Sequence, residues 1–266
     1  MLRKWCIPVA TLALVGGSML AATGTAAAST AAHGSGRVTM QPGGLARHLV
    51  GPLRARGRGS QSVTSSNWSG YVATGGTGAF SSVSASWVEP TGHCTSGSQY
   101  SSFWVGLDGY SSRTVEQTGS EVDCSGSTPL YYAWWEMYPG PSHTFSNPVS
   151  PGDNFIASVT FDGGGRFTLT ISDTTRGWSH TENKTLSSAK RSSAEVIVEA
   201  PCCTGSGGIL PLANFGTANF TNSAANGSAI GNFSPTEIIM KSGSTQKDSI
   251  SALSGGTNFS ATWLHK

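Results

Sequence analysis

Few side chains in this sequence suit acid–base chemistry, and one of them sits where a charge is unusual. Glu199 closes the run Ser193–Glu199, SAEVIVE, which reads as a strand because Val196, Ile197 and Val198 are β-branched and Pro201 stops it. Strand alternation sends Val196 and Val198 to one face and Glu195, Ile197 and Glu199 to the other. A carboxyl buried at the end of an apolar run trades protons near an acidic working pH. The same position also suits a solvent-facing charge that guards an edge strand, which is the commoner case for a lone Glu.

The other chemical groups fall on strands of the same kind. In YYAWWEMY, Tyr132, Trp134, Glu136 and Tyr138 share a face. Trp104, Gly106 and Asp108 share one in FWVGLD, and Val115 and Gln117 share one in TVEQT. If these strands and Ser193–Glu199 form one concave sheet, a single face gathers Trp104, Asp108, Gln117, Glu136 and Glu199. Aromatic walls, carboxylates and one amide make a hydrolase cleft. Glutamine does not exchange protons, but its NH2 donates to a developing oxyanion and its carbonyl orients a water. Taken singly, the aromatics also fit a sandwich core and Gln117 an ordinary strand residue. Two other classes fit these residues: a carbohydrate-binding sandwich using the aromatic run, and a jelly-roll glycoside hydrolase with Glu136 and Glu199 as its carboxylate pair. Gln117 is dispensable in both.

Several chemistries lack their motifs. There is no G-x-S-x-G elbow, no HExxH and no P-loop, and His93, His143, His180 and His265 are scattered. No metal and no cofactor is expected.

The elements that must position these groups lie in the later part of the chain. Residues 1–28 read as a signal peptide: Arg3 and Lys4 precede a mostly apolar stretch, and Ala26-Ala27-Ala28 offers a cleavage site. Residues 29–62 read as a basic propeptide or disordered leader, holding five arginines and no acid. The first 60 residues carry seven of the 16 basic residues and none of the 14 acids, so the body has nine against fourteen, a formal −5. That balance argues against a nucleic-acid partner. It also fits a leader that lies across a negative cleft as an inhibitor, although a mere spacer is the plainer reading. No segment after the first 28 residues is apolar for long enough to span a membrane.

Residues 63–266 are enough for one domain with its own core, and a monomer is expected. Gly, Ser and Thr are abundant and charge is sparse, which suits an exported all-β chain. Strands are expected at Ser66–Ala73, Ser82–Val88, Tyr100–Leu107, Arg113–Gly119, Tyr131–Tyr138, Asp153–Phe161, Arg166–Ser172, Ser193–Glu199, Ala213–Asn222, Glu237–Lys241 and Phe259–Leu264. Gly163-Gly164-Gly165 marks a hairpin and Asp108-Gly109 a turn. The pattern predicts an all-β, antiparallel two-sheet β-sandwich of jelly-roll or concanavalin-like type, with a barrel as the minor alternative. Cys94, Cys124, Cys202 and Cys203 remain after the signal, which predicts two disulfides, with adjacent Cys202 and Cys203 bonded elsewhere rather than to each other. Asn67, Asn183, Asn219, Asn226, Asn232 and Asn258 head glycosylation sequons.

FWVGLDG with VEQTG, then YYAWWEMYP, then AEVIVEAP, resembles the glutamic peptidases, the eqolisins, and NWSGY at Asn67–Tyr71 looks like the start of that family's mature domain. The resemblance runs from about Ser66 to Asn222. It implies a secreted, acid-acting endopeptidase built as a β-sandwich, acting on polypeptide substrates through a Gln/Glu pair. The pair falls on Gln117 and Glu199, and the cleft tryptophans and acidic supports on Trp68, Trp104, Asp108 and Glu136. Trp134 joins them as an aromatic wall by alternation. Tyr132 stands where an acid precedes the Ala-Trp pair in some members. The reading requires the amide and the acid to meet across neighbouring strands.

Overall fold

The computed structural model describes residues 62–202 and 208–266. The expected signal, 1–28, and all of the leader but its last residue lie outside them. In chain order the strands are β1 (Ser62–Ser65), β2 (Trp68–Thr74), β3 (Ser82–Val88), β4 (Ser98–Leu107), β5 (Val115–Ser125) and β6 (Thr128–Tyr138). Then come β7 (His143–Thr144), β8 (Asn154–Gly163), β9 (Arg166–Asp173), β10 (Trp178–Thr185) and β11 (Ser193–Glu199). The chain ends with β12 (Thr217–Ala225), β13 (Ser228–Ala229), β14 (Thr236–Ser242), β15 (Thr245–Gln246), β16 (Asp248–Ile250) and β17 (Phe259–Trp263).

These strands form two sheets. The first runs β1-β14-β2-β11-β4-β5-β6-β7, with β15 on β14. The second runs β10-β9-β8-β3-β12-β17-β16, with β13 on β12. Every pairing is antiparallel except β1 with β14. The expected two-sheet sandwich is therefore what the chain builds, and the five strands quoted for the site, β2, β11, β4, β5 and β6, are consecutive neighbours.

Alternation explains how one sheet serves both a core and a site. Val83, Ala85 and Trp87 of β3 pack with Phe103, Val105, Leu107, Val196 and Val198 of the first sheet, so these residues fill the space between the sheets. Burying each such side chain contributes about 1.5–3 kcal/mol. The opposite parity of the first sheet makes a separate apolar patch of Trp68, Val72, Trp104, Val115, Tyr132, Trp134 and Ile197. This patch is the outer face of the first sheet and carries the candidate site.

Six strands are not among those expected from the sequence: β1, β10 and the short β7, β13, β15 and β16. β10 reads WSHTENKT and was expected to be a polar loop. It is a sheet edge, and every second residue is exposed, so its backbone pairing with β9 needs little apolar side-chain surface. β1 is a four-residue edge strand placed at the end of the expected leader. β5 was expected to stop at Gly119 and instead runs to Ser125. Gly119 is not a breaker here: a Cβ would meet the Phe103 carbonyl at 2.2 Å and Trp104 Cβ at 2.6 Å, so glycine lets β4 and β5 approach.

Cys94 and Cys124 form a disulfide. This pairing leaves neither of them for Cys202, and Cys203 lies outside the described residues. Cys202 is itself disulfide-bonded.

Candidate active site

Register across the first sheet arranges the outer-face side chains in rows. One row holds Trp68, Glu199, Ser102, Glu121 and Tyr132. The next holds Gly70, Ile197, Trp104, Gly119 and Trp134, and the third Val72, Glu195, Gly106, Gln117 and Glu136. Gln117 and Glu199 thus share a sheet and a face. The expected meeting across neighbouring strands is corrected by the sheet order: β4 runs between β5 and β11 and the Trp104 row separates their rows, so the two groups share a face with one strand between them. Glu199 is also not on an edge, because β11 is flanked by β2 and β4 and Glu199 is fully buried.

Each member of the pair is held by named partners. Glu199 Oε2 accepts from the Trp104 indole N–H at 2.9 Å, and Oε1 accepts from Asn67 Nδ2 at 3.2 Å. Gln117 Nε2 donates to Glu136 Oε2 at 2.7 Å. Glu136 thereby fixes which end of the amide faces which way. The carbonyl oxygen of Gln117 is buried with no hydrogen-bond partner. The indole N–H of Trp68 is buried and unpartnered as well.

Trp104 fills the space between the two. Its indole nitrogen lies at Glu199, while the benzo edge of the same ring lies beside Gly106, where an added Cβ would meet Trp104 Cζ3 at 2.9 Å and Gln117 Cβ at 3.2 Å. Trp68 packs edge-on against Trp104 with centroids 5.0 Å apart and an interplanar angle of 75°. Trp134 continues the row on β6 and is buried.

Asp108 does something other than line a cleft. It adopts φ +69, which breaks the alternation expected from FWVGLD. Its carboxylate accepts from the backbone N–H groups of Lys190 at 2.7 Å, Arg191 at 2.6 Å and Ser192 at 2.9 Å, and from the Ser192 hydroxyl at 3.1 Å. It ties the turn before β11 to the end of β4, and so places Glu199 through the backbone.

Three site residues escaped the sequence reading. Asn67 stands out in the sequence as a sequon head and as the first residue of NWSGY, with no site role attached, yet it is buried and bound to Glu199. Glu121 and Asp123 lie on the outer face of β5 beyond the point where that strand was expected to end, and continuing the alternation of TVEQT by four residues finds Glu121. Tyr132 donates to Asp123 Oδ2 at 2.8 Å. Burial, then the charge of Asp123, holds the Glu121 carboxyl well above its usual range, and Glu199 adds to the effect. In the third row, burial followed by the charges of Asp108 and Glu116 raises Glu195 strongly. Glu116 has the opposite parity on β5, paired with Leu107 and Met137, and burial together with Asp108 pushes it to about 9. The outer face is thus rich in carboxyls, and burial favours the neutral form of Glu121 and Glu195.

A sequence profile of the Peptidase A4 family matches residues 66–263. The chain belongs to this family. It is 31% identical over 194 residues to aspergillopepsin-2 of Aspergillus niger, covering 63% of this chain and 67% of that protein. Its fold is similar to a scytalido-glutamic peptidase solved with a transition-state-analogue inhibitor, at TM-score 0.67 and 26% identity, over 75% of this chain and 98% of that one. It is also similar to the aspergilloglutamic peptidase of Aspergillus niger, at TM-score 0.56 and 26% identity, over 62% and 99%. Membership makes this chain a glutamic endopeptidase and sets aside the carbohydrate-binding and glycosidase alternatives.

Proposed function

We propose that this A4 peptidase is an exported, acid-acting endopeptidase in which Glu199 and Gln117 share the nucleophilic water. Glu199 as carboxylate takes the water's proton as it attacks the peptide carbonyl, then returns that proton to the leaving amine. Gln117 accepts a hydrogen from the water at its free carbonyl oxygen. Glu136 takes one of its two amide hydrogens, and the other donates to the tetrahedral oxygen. Trp104 supports Glu199 from below and sets the gap between the two groups. Trp68 and Trp134 wall the substrate. The observation that carries this reading is the pair of opposed fixings: Glu199 held by two N–H donors, and Gln117 held by Glu136 with its acceptor left open.

Low pH suits the pair because the leaving amine must be protonated while the base is still ionised. Export is supported by the signal-like residues 1–28 and by the Cys94–Cys124 disulfide, which persists outside the reducing cytosol. The arginines of residues 29–62 meet the chemistry of an inhibitor for this carboxyl-rich face, released as those carboxyls protonate. Digestion of denatured casein at about pH 3–4 tests the activity. Cleavage there and none near neutral pH supports the proposal; no cleavage by the processed protein at any pH overturns it.

A further inference from the structure

One buried amide at the site plays no part in the reaction as described. Asn67 is 1% exposed and lies in the turn between β1 and β2. Its Nδ2 donates to Glu199 Oε1 at 3.2 Å, and its Oδ1 accepts from the Ser65 hydroxyl at 3.0 Å. An amide side chain has a donor end and an acceptor end, so what meets one end decides which way the other faces. Ser65 makes that decision. Its oxygen accepts the backbone N–H groups of Asn67 at 3.3 Å and Trp68 at 3.0 Å, which leaves its single hydrogen for Asn67 Oδ1. The polarity therefore runs one way, from two backbone N–H groups through Ser65 and Asn67 to the carboxylate. Ser65 is the last residue of β1 and is paired opposite Met240 of β14, so the relay is anchored in the sheet.

We propose that Asn67, oriented by Ser65, is a positioning residue for Glu199: it fixes the rotation of the carboxyl group and favours its ionised form. The inference rests on the reading of Glu199 as general base. It gives β1, the first strand of the body, a part in catalysis. Trp104 holds the other carboxylate oxygen from β4, so the group is gripped from both sides of β11. Burial also closes the sequon Asn67-Trp68-Ser69 to glycosylation in the folded protein.

The test is the pH dependence of kcat and KM for the full chain, matured in the same way, carrying Asn67→Ala, Asn67→Asp or Ser65→Ala. A hydrogen bond to a charged group is worth enough to move a titration by about one pH unit. In Asn67→Ala the acid limb of kcat moves to higher pH by about that amount, and kcat at the acid end falls about tenfold with KM within about twofold. Asn67→Asp moves the limb further in the same direction, because a carboxyl replaces the donor. Ser65→Ala gives a smaller shift of the same sign. Limbs superimposable on the parent, with only a uniform loss that follows a lower Tm, overturn the inference. If Asn67→Ala does not fold, Ser65→Ala decides by the same limb. Full activity in Glu199→Gln overturns the assignment of the base itself. An inactive Glu199→Gln beside unshifted Asn67 variants overturns this inference alone.

Discussion

The indole N–H of Trp104 donates to Oε2 of Glu199 at 2.9 Å, and the far edge of that ring lies against Gly106, beside Cβ of Gln117. One rigid side chain thus spans the single row that separates the acid from the amide. Gly106 and Gly119 flank it in space, and neither position tolerates a Cβ without displacing the ring or the β4 backbone. Trp104→Phe keeps most of the ring and removes the donor. The account predicts a loss of about 10- to 100-fold in kcat with KM little changed, since bonds to charged groups contribute about 1.5–3 kcal/mol. Steady-state kinetics beside a melting curve checks it.

Gln117 meets Glu136 at 2.7 Å, so substitutions there act on two groups at once. Gln117→Ala removes the proposed oxyanion donor and should lower kcat by about 10²–10³-fold, as loss of one such donor does in other hydrolases. Gln117→Glu sets a second carboxyl against Glu136 and pushes one of the two toward its neutral form. Its residual activity is confined to a lower pH range than that of the parent, which a kcat–pH profile reads directly.

Asp108 accepts three backbone N–H groups and one hydroxyl from residues 190–192. Asp108→Ala leaves those donors unmet, the two on Ser192 buried and the other two part-buried, at about 1–3 kcal/mol for each buried one. Denaturant unfolding should show a loss of several kcal/mol, larger than the change in kcat per folded molecule.

Ten of the fourteen acidic residues are buried, which sets the pH range in which the fold is stable. Burial pushes Glu89 to about 8, Glu116 to about 9 and Asp248 to about 7, and raises Glu121 and Glu195 strongly. Each of these groups binds its proton more tightly folded than unfolded. Their stabilisation is complete below the unfolded carboxyl range and is lost as pH rises through the folded values. The Tm should therefore fall steadily from about pH 4 to about pH 9. Glu89 is hydrogen-bonded to Ser120 between the sheets, so Glu89→Gln should flatten part of that slope. A Tm that rises across this range contradicts the prediction.

Alternation made most of this legible. Val196 and Val198 face the core while Glu195, Ile197 and Glu199 face the site, as the SAEVIVE pattern requires. Trp104, Gln117, Glu136 and Trp134 likewise follow from the period of two on β4, β5 and β6. The pattern failed where the backbone leaves the extended region, as at Asp108. It failed where a glycine serves packing rather than a turn, as at Gly119, and the misplaced end of β5 hid Glu121 and Asp123. Edge strands such as β10 carry almost no side-chain signal because one partner and solvent suffice. Asn67 was invisible for a different reason: its bond to Glu199 joins residues 132 positions apart, and no local pattern encodes such a contact.

The most direct measurement is the proteolytic rate of Glu199→Gln on a denatured protein at acid pH, beside a melting curve showing that the variant is folded. The side chain keeps its shape and loses only its ability to take a proton. The account predicts activity indistinguishable from the uncatalysed background in a variant with near-parental Tm. Turnover within about tenfold of the parent would contradict the assignment of Glu199 as the base.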